Sequence, residues 1–98
     1  MNIIVFDERN PYYNIFDDES NRKFIEGVVT CIRATYNILG YIYLNKIYEN
    51  LGVAWNPRHT NLAFINDCDH ELWINFNHGV GGPKWYIYVD YKLKKTGS

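Results

Sequence analysis

The densest group of potential metal ligands is the run Asp-Cys-Asp-His-Glu at positions 67–71, which His78 follows further along the chain. Carboxylate, thiolate and imidazole groups bind zinc or a similar ion when several of them converge on one point. His78 is expected at the far end of a strand that starts after His70, roughly 20 Å away or more, so one ion cannot reach both histidines. The remaining candidate ligands are Asp67, Asp69 and His70. Aspartates are also common in turns, where they accept hydrogen bonds from their own backbone, and we predict no metal or other cofactor.

The nucleophiles of the chain lack a base placed to activate them, which argues against an enzyme. Ser20 stands where a helix cap is expected, a place that Asp17 or Asp18 just before it could also fill. Cys31 falls inside a helical pattern, where a buried thiol is normally inert packing. Cys68 and His70 are two residues apart, a spacing that does not by itself make their side chains face each other. No pair of nucleophile and base is therefore assembled, and we predict no catalytic residues.

A glycine-rich run at positions 79–84 ends in lysine and invites comparison with a phosphate-binding loop. The P-loop requires G-x-x-x-x-G-K-[ST] between a strand and a helix. Here the spacing differs, Trp85 follows the lysine, and the next element is a predicted strand. We therefore predict an ordinary hairpin loop.

Aromatic residues are the unusual feature of the composition, with 9 Tyr, 5 Phe and 3 Trp making up 17% of the chain. Trp73, Tyr86 and Tyr88 alternate with polar residues on one face of the predicted sheet, and large amphipathic rings on a polar surface are typical of protein-binding hot spots. Alternatively, segment 7–19 or Trp55 covers that face and forms a second small core. RNA-stacking sheets carry a basic-aromatic motif that is missing here. The predicted partner-binding residues are Trp73, Tyr86, Tyr88, Tyr12 and Tyr13.

The spacing of apolar residues predicts a single α+β domain that positions these side chains. One long helix is indicated by apolar residues recurring at spacings of one, three and four, and Gly40 ends it. Nearer the C-terminus the period falls to two, which predicts three strands joined by short turns in an antiparallel meander. The predicted elements are a strand at 1–6, helices at 20–39 and 44–51, a β-meander at 61–93 and a frayed tail at 94–98. The order β-α-α-β-β-β packs the long helix on a three- or four-stranded sheet.

Length and charge exclude several classes of protein. A chain of 98 residues supports one core, and its net charge of −1 lacks the basic surplus of a dedicated nucleic-acid binder. No apolar run approaches the roughly 20 residues that span a bilayer, and the first residues do not read as a signal peptide. Cys31 and Cys68 are predicted to be reduced thiols of a cytoplasmic protein. With these classes excluded, the predicted partner is another protein, and a homodimer is an alternative.

The stretch Gly-Tyr-Ile-Tyr-Leu-Asn-Lys-Ile-Tyr-Glu-Asn-Leu-Gly at positions 40–52 follows the predicted long helix and precedes Trp55. It resembles the pattern G-Y-[VI]-x-L-N-x-h-Y-x-x-L-G, where h is apolar, of small proteins encoded by phages and mobile elements of low-GC bacteria. The resemblance covers about residues 22–75. It implies a phage or prophage accessory protein and carries over no functional residue.

These observations together predict a non-enzymatic protein-binding module from a phage or mobile element. The expected role is a host-defence inhibitor of the anti-CRISPR type, which acts by steric binding in the host cytoplasm. One alternative is a structural protein of the virion or tail. Another is a metal-binding or metal-dependent protein that uses the turn at Asp67–His70.

Overall fold

The structure is a computed structural model that describes residues 2–82 and 84–93, and over these the chain forms two α-helices, five strands and one 3-10 turn at Pro57–His59. In chain order the helices and strands are β1 (Asn2–Phe6), α1 (Asp18–Leu39), β2 (Tyr41–Tyr43), α2 (Leu44–Asn50), β3 (Ala63–Ile65), β4 (His70–His78) and β5 (Trp85–Leu93). The α+β class predicted from the sequence is confirmed. The predicted frayed tail at 94–98 lies outside the described residues, as do Met1 and Pro83.

Helix α1 begins and ends where local chemistry satisfies its backbone. Asp17 is the N-cap, and its carboxylate accepts a hydrogen bond from the Glu19 N–H at 3.1 Å. The helix therefore starts two residues before the predicted Ser20, whose hydroxyl donates to Asp17 instead. Gly40 ends the helix with a positive φ of 78°, and its N–H donates to the Tyr36 carbonyl.

The main sheet has the order β1-β5-β4 and is antiparallel throughout. Ile87 at its centre lies opposite Ile4 of β1 and Phe76 of β4. The face that carries Ile87 packs against the buried side of α1. Side chains on this face and on α1 and α2 form one core of fifteen buried hydrophobic residues, among them Phe6, Ile25, Ile32, Leu44, Ile47 and Val89.

The predicted meander differs from the structure in one connection. Strand β3 pairs with β2 in a separate two-stranded sheet, and β1 takes the second edge of β5. Ile42 of β2 and Phe64 of β3 lie opposite each other and are both buried in the core, which fixes this pairing. The pairing continues beyond the strand ends, because the Asn66 N–H donates to the Gly40 carbonyl and the Leu44 N–H to Leu62.

The two cysteines are free and exposed, so the expectation that Cys31 is a buried thiol is wrong. Cys31 lies on α1 away from its buried residues, which include Val29 and Ile32. No helix in the described part of the chain is long and apolar enough to cross a membrane.

Candidate functional site

The sheet face that points away from α1 carries a row of aromatic and aliphatic side chains. Tyr88 of β5 lies between Ile3 of β1 and Asn75 of β4, and Tyr86 one step along the strand lies between Val5 and Asn77. Trp73 lies further along β4, opposite Asp90. The outer aromatic face is defined here as Ile3, Val5, Trp73, Tyr86 and Tyr88.

The two tyrosine rings of this face contact their immediate neighbours. Tyr86 lies against Gly79 of the hairpin, where a Cβ atom would come within 2.6 Å of a ring carbon. The Tyr88 hydroxyl donates to Asn77 Oδ1 at 3.4 Å. All three rings are half-buried, whereas Ile3 and Val5 are 56% and 38% exposed. The tyrosine rings are therefore fixed by contacts, while the face as a whole stays accessible to solvent.

Both segments that could cover the outer aromatic face lie elsewhere. Tyr13 packs against Phe6, which points to the α1 side of the sheet, with ring centroids 5.5 Å apart. Tyr12 contacts Phe24 of α1 at 5.3 Å. Trp55 lines a groove beside β2. The structure thus brings three of the predicted contact rings together and places Tyr12 and Tyr13 on the other side of the sheet.

A second aromatic surface, which is not among the predicted binding residues, surrounds a groove of about 410 Å³ between α1, β2 and α2. Tyr41, Tyr43, Trp55 and Leu39 line it, and all four are exposed. The two tyrosine rings stand edge-on, 5.7 Å apart. The alternation Tyr-Ile-Tyr could have indicated it, because burying Ile42 necessarily points both rings to the opposite side.

The charged side chains of this groove and its one amide are already engaged. Lys46 and Glu49 form an ion pair at 3.5 Å, and the Asn45 amide bonds the backbone of Asn56 through both its oxygen and its nitrogen. What the groove offers a ligand is therefore apolar contact and not acid–base chemistry.

The candidate metal ligands Asp67, Asp69 and His70 form a backbone turn. Asp67 Oδ1 accepts hydrogen bonds from the N–H groups of Asp69 at 2.8 Å and His70 at 2.6 Å, and these bonds lower the pKa of Asp67. His70 and His78 stand at opposite ends of β4, as expected. Over residues 2–82 and 84–93, no group of three or more His, Cys, Asp or Glu side chains is placed to hold a metal ion.

A polar cluster ties the start of α1 to the β4–β5 hairpin. The Trp85 indole N–H donates to Asp18 Oδ1 at 2.8 Å, and His78 Nε2 lies 3.0 Å from Asp18 Oδ2. The His78 ring stands edge-on to Trp85, with centroids 4.8 Å apart. The Trp85 hydrogen bond is the main cause of a lowered pKa for Asp18. The cluster is a structural link that sequence spacing could not reveal, because its members are far apart in the chain.

Asp18→Asn is expected to destabilise the protein at neutral pH and to reduce its sensitivity to acid. The folded-state pKa of Asp18 lies below its ordinary value of 3.8, so its carboxylate stabilises the fold above that value. This contribution is lost as the pH falls through the lower, folded-state pKa. Urea unfolding followed by circular dichroism at about pH 7 and about pH 3 measures the change. Asp69→Asn serves as the control, and equal acid sensitivity of Asp18→Asn and the wild type would contradict the prediction.

Comparison with known proteins found no family model, curated protein or solved structure that matches the chain.

Proposed function

We propose that this protein is a small non-enzymatic protein-binding module that contacts its partner through the outer aromatic face. The observation that carries the proposal is the position of Tyr13 and Trp55, whose segments could have covered this face and instead lie on other surfaces. Tyrosine and tryptophan rings supply much of the binding energy in protein interfaces because they bury a large area with few rotatable bonds.

The surroundings of the rings support a protein partner as the ligand. Asn75 and Asn77 flank the tyrosines on one side, and Asp90 and Lys92 continue the same face of β5. Polar groups around an aromatic centre form the rim that hydrogen-bonds a partner and excludes water from the contact. The face is one side of a three-stranded sheet, and a broad sheet surface suits another protein better than a small molecule, which binds in a cleft.

The resemblance to phage accessory proteins supports a narrower proposal about the partner. In this narrower proposal the partner is a larger host-defence protein, which the module inhibits sterically in the host cytoplasm. The free cysteines Cys31 and Cys68 are consistent with a reducing compartment. If the partner is instead the assembled virion or tail, the protein is expected to co-purify with phage particles.

The double variant Tyr86→Ala/Tyr88→Ala is expected to fold cooperatively and to lose its partner. Affinity capture from the native host with mass spectrometry identifies the partner, and calorimetry then measures its affinity. Each hot-spot ring contributes about 2 kcal/mol, so losing both costs about 4 kcal/mol and the affinity should fall by roughly 1,000-fold.

Tyr41→Ala/Tyr43→Ala is the matched control, because it also removes two tyrosines spaced by one residue from an exposed aromatic surface. This control should bind with wild-type affinity. Two results would overturn the proposal: equal binding by both double variants, or unfolding of Tyr86→Ala/Tyr88→Ala, which would make these rings part of the core.

A further inference from the structure

The outer edge of β4 is closed by side chains of α1. The Gly79 N–H donates to the Lys84 carbonyl, so odd-numbered residues of β4 bond β5 and even-numbered ones point to the free edge. On that edge the Leu72 N–H donates to the Tyr36 hydroxyl at 3.2 Å. Arg33 donates to the Ile74 carbonyl at 2.9 Å. A further strand cannot add here without displacing both contacts.

The outer edge of β3 is closed in a similar way. The Tyr91 hydroxyl accepts a hydrogen bond from the Ile65 N–H and donates to the Ala63 carbonyl, both at 2.9 Å. One side chain of β5 therefore occupies the backbone groups that β3 turns away from β2.

The outer edge of β1 has no such protection. Even-numbered residues of β5 bond β4, so its odd-numbered residues bond β1 through Asn2, Ile4 and Phe6. The backbone groups of Ile3 and Val5 consequently point outward, and among the described residues no hydrogen bond is formed to them. Protected edge strands usually carry a charge, a proline or a bulge, and the sequence Asn-Ile-Ile-Val-Phe has neither charge nor proline.

We infer that β1 pairs antiparallel with β1 of a second copy of this chain, across a two-fold axis at Ile4. In this register Ile3 of one copy lies opposite Val5 of the other, and every outward N–H and C=O of the two residues finds a partner. The two three-stranded sheets become one continuous six-stranded sheet. The interface is isologous and closes on itself, so it stops at a dimer.

The symmetric placement of the open groups argues for a second copy as the occupant. Ile3 and Val5 lie on either side of Ile4, so the strand is complementary to itself when reversed. Their side chains share the outer face, and pairing brings the aliphatic groups of both copies together and removes exposed apolar surface from water. No like charges meet, because β1 carries none. This inference does not rest on the proposed function, since strand pairing at β1 covers part of Ile3 and Val5 but leaves the rings of Trp73, Tyr86 and Tyr88 open.

Analytical ultracentrifugation of the wild-type chain and of Ile3→Lys tests the inference. A single short strand pair makes a small interface, so the dimer should form between about 10 μM and about 1 mM. Ile3→Lys places a charge at the edge and should remain monomeric over this range. Ile65→Lys is the matched control, because Ile65 is 57% exposed on a short strand and Ile3 is 56% exposed. It should dimerise like the wild type.

Amide hydrogen exchange on the wild-type chain locates the contact without any substitution. The Ile3 and Val5 amides should exchange more slowly as the concentration rises, while Ile4, which already bonds β5, stays protected throughout. A wild-type chain that is monomeric at about 1 mM would overturn the inference. So would a dimer that Ile65→Lys breaks and Ile3→Lys does not, or one without concentration-dependent protection of Ile3 and Val5.

Discussion

Phe6→Ala is expected to lower the free energy of unfolding by about 3–5 kcal/mol, the usual cost of emptying a buried phenylalanine site. Phe6 is fully buried and its ring packs between Tyr13 at 5.5 Å and Phe24 at 5.4 Å. Truncation would remove both ring contacts and leave a cavity between β1, α1 and the loop that follows β1. That loop is held by its own backbone bonds and by α1, so it cannot collapse fully into the space.

Val5→Ala, one residue earlier, is expected to cost less than about 1 kcal/mol, because Val5 faces the open side of the sheet. Urea unfolding of the two variants gives the difference directly. The pair tests which side of β1 is core, and the proposed binding face depends on that assignment. Similar losses for both variants would mean that the outer aromatic face is covered.

The long helix was predictable because its signals are local. A regular apolar period, an acidic cap and a terminal glycine all lie within one stretch of chain, and each constrains only its neighbours. The start was misplaced by two residues because Asp17 and Ser20 are both good caps. Asp17 as the N-cap accepts the Glu19 N–H, whereas Ser20 as the N-cap would accept from Arg22 or Lys23, and the choice depends on backbone geometry that residue type does not specify.

The strand pairing was less predictable because it depends on contacts between distant segments. The three residues of β2 look like a connection when read alone, and β3 is equally short. Their pairing is determined by burial of Ile42 against Phe64, and the turn at Asp67 then separates β3 from β4. The position of β1 beside β5 also depends on contacts between distant segments, so it was not predicted, although β1 supplies part of the outer aromatic face.

The candidate site shows the same division between local and long-range information. Alternation along β4 and β5 predicts that Trp73, Tyr86 and Tyr88 share one face, and the strand register places them on the same face. The contribution of Ile3 and Val5 could not be inferred before the partner of β1 was known. Tyr12 and Tyr13 lie in an irregular segment, where no period relates a residue to a face.

Asn21→Ala is expected to destabilise the protein by about 2–3 kcal/mol, since it removes the three hydrogen bonds of a buried amide, each worth about 1 kcal/mol. Asn21 is 1% exposed, accepts a hydrogen bond from the Asn14 N–H at 2.8 Å and donates to the Asn14 carbonyl at 2.9 Å. It also donates to Asp18 Oδ1 at 3.2 Å. One amide thus holds the irregular segment of Tyr12 and Tyr13 against α1. Asn37→Ala, on the exposed side of α1, is the control and should stay within about 0.5 kcal/mol of the wild type.

Asn21→Asp should cost more than Asn21→Ala at neutral pH, because a buried carboxylate would face the Asn14 carbonyl and the Asp18 carboxylate. This environment raises the pKa of the introduced acid, so the deficit relative to the wild type should shrink as the pH falls and the acid is protonated. Urea unfolding at several pH values follows it. A deficit independent of pH would show that the segment rearranges to expose the new charge.

Asn21→Ala that is still folded should bind the partner with wild-type affinity, because Asn21 lies on the α1 side. A loss of binding there would extend the interface to Tyr12 and Tyr13.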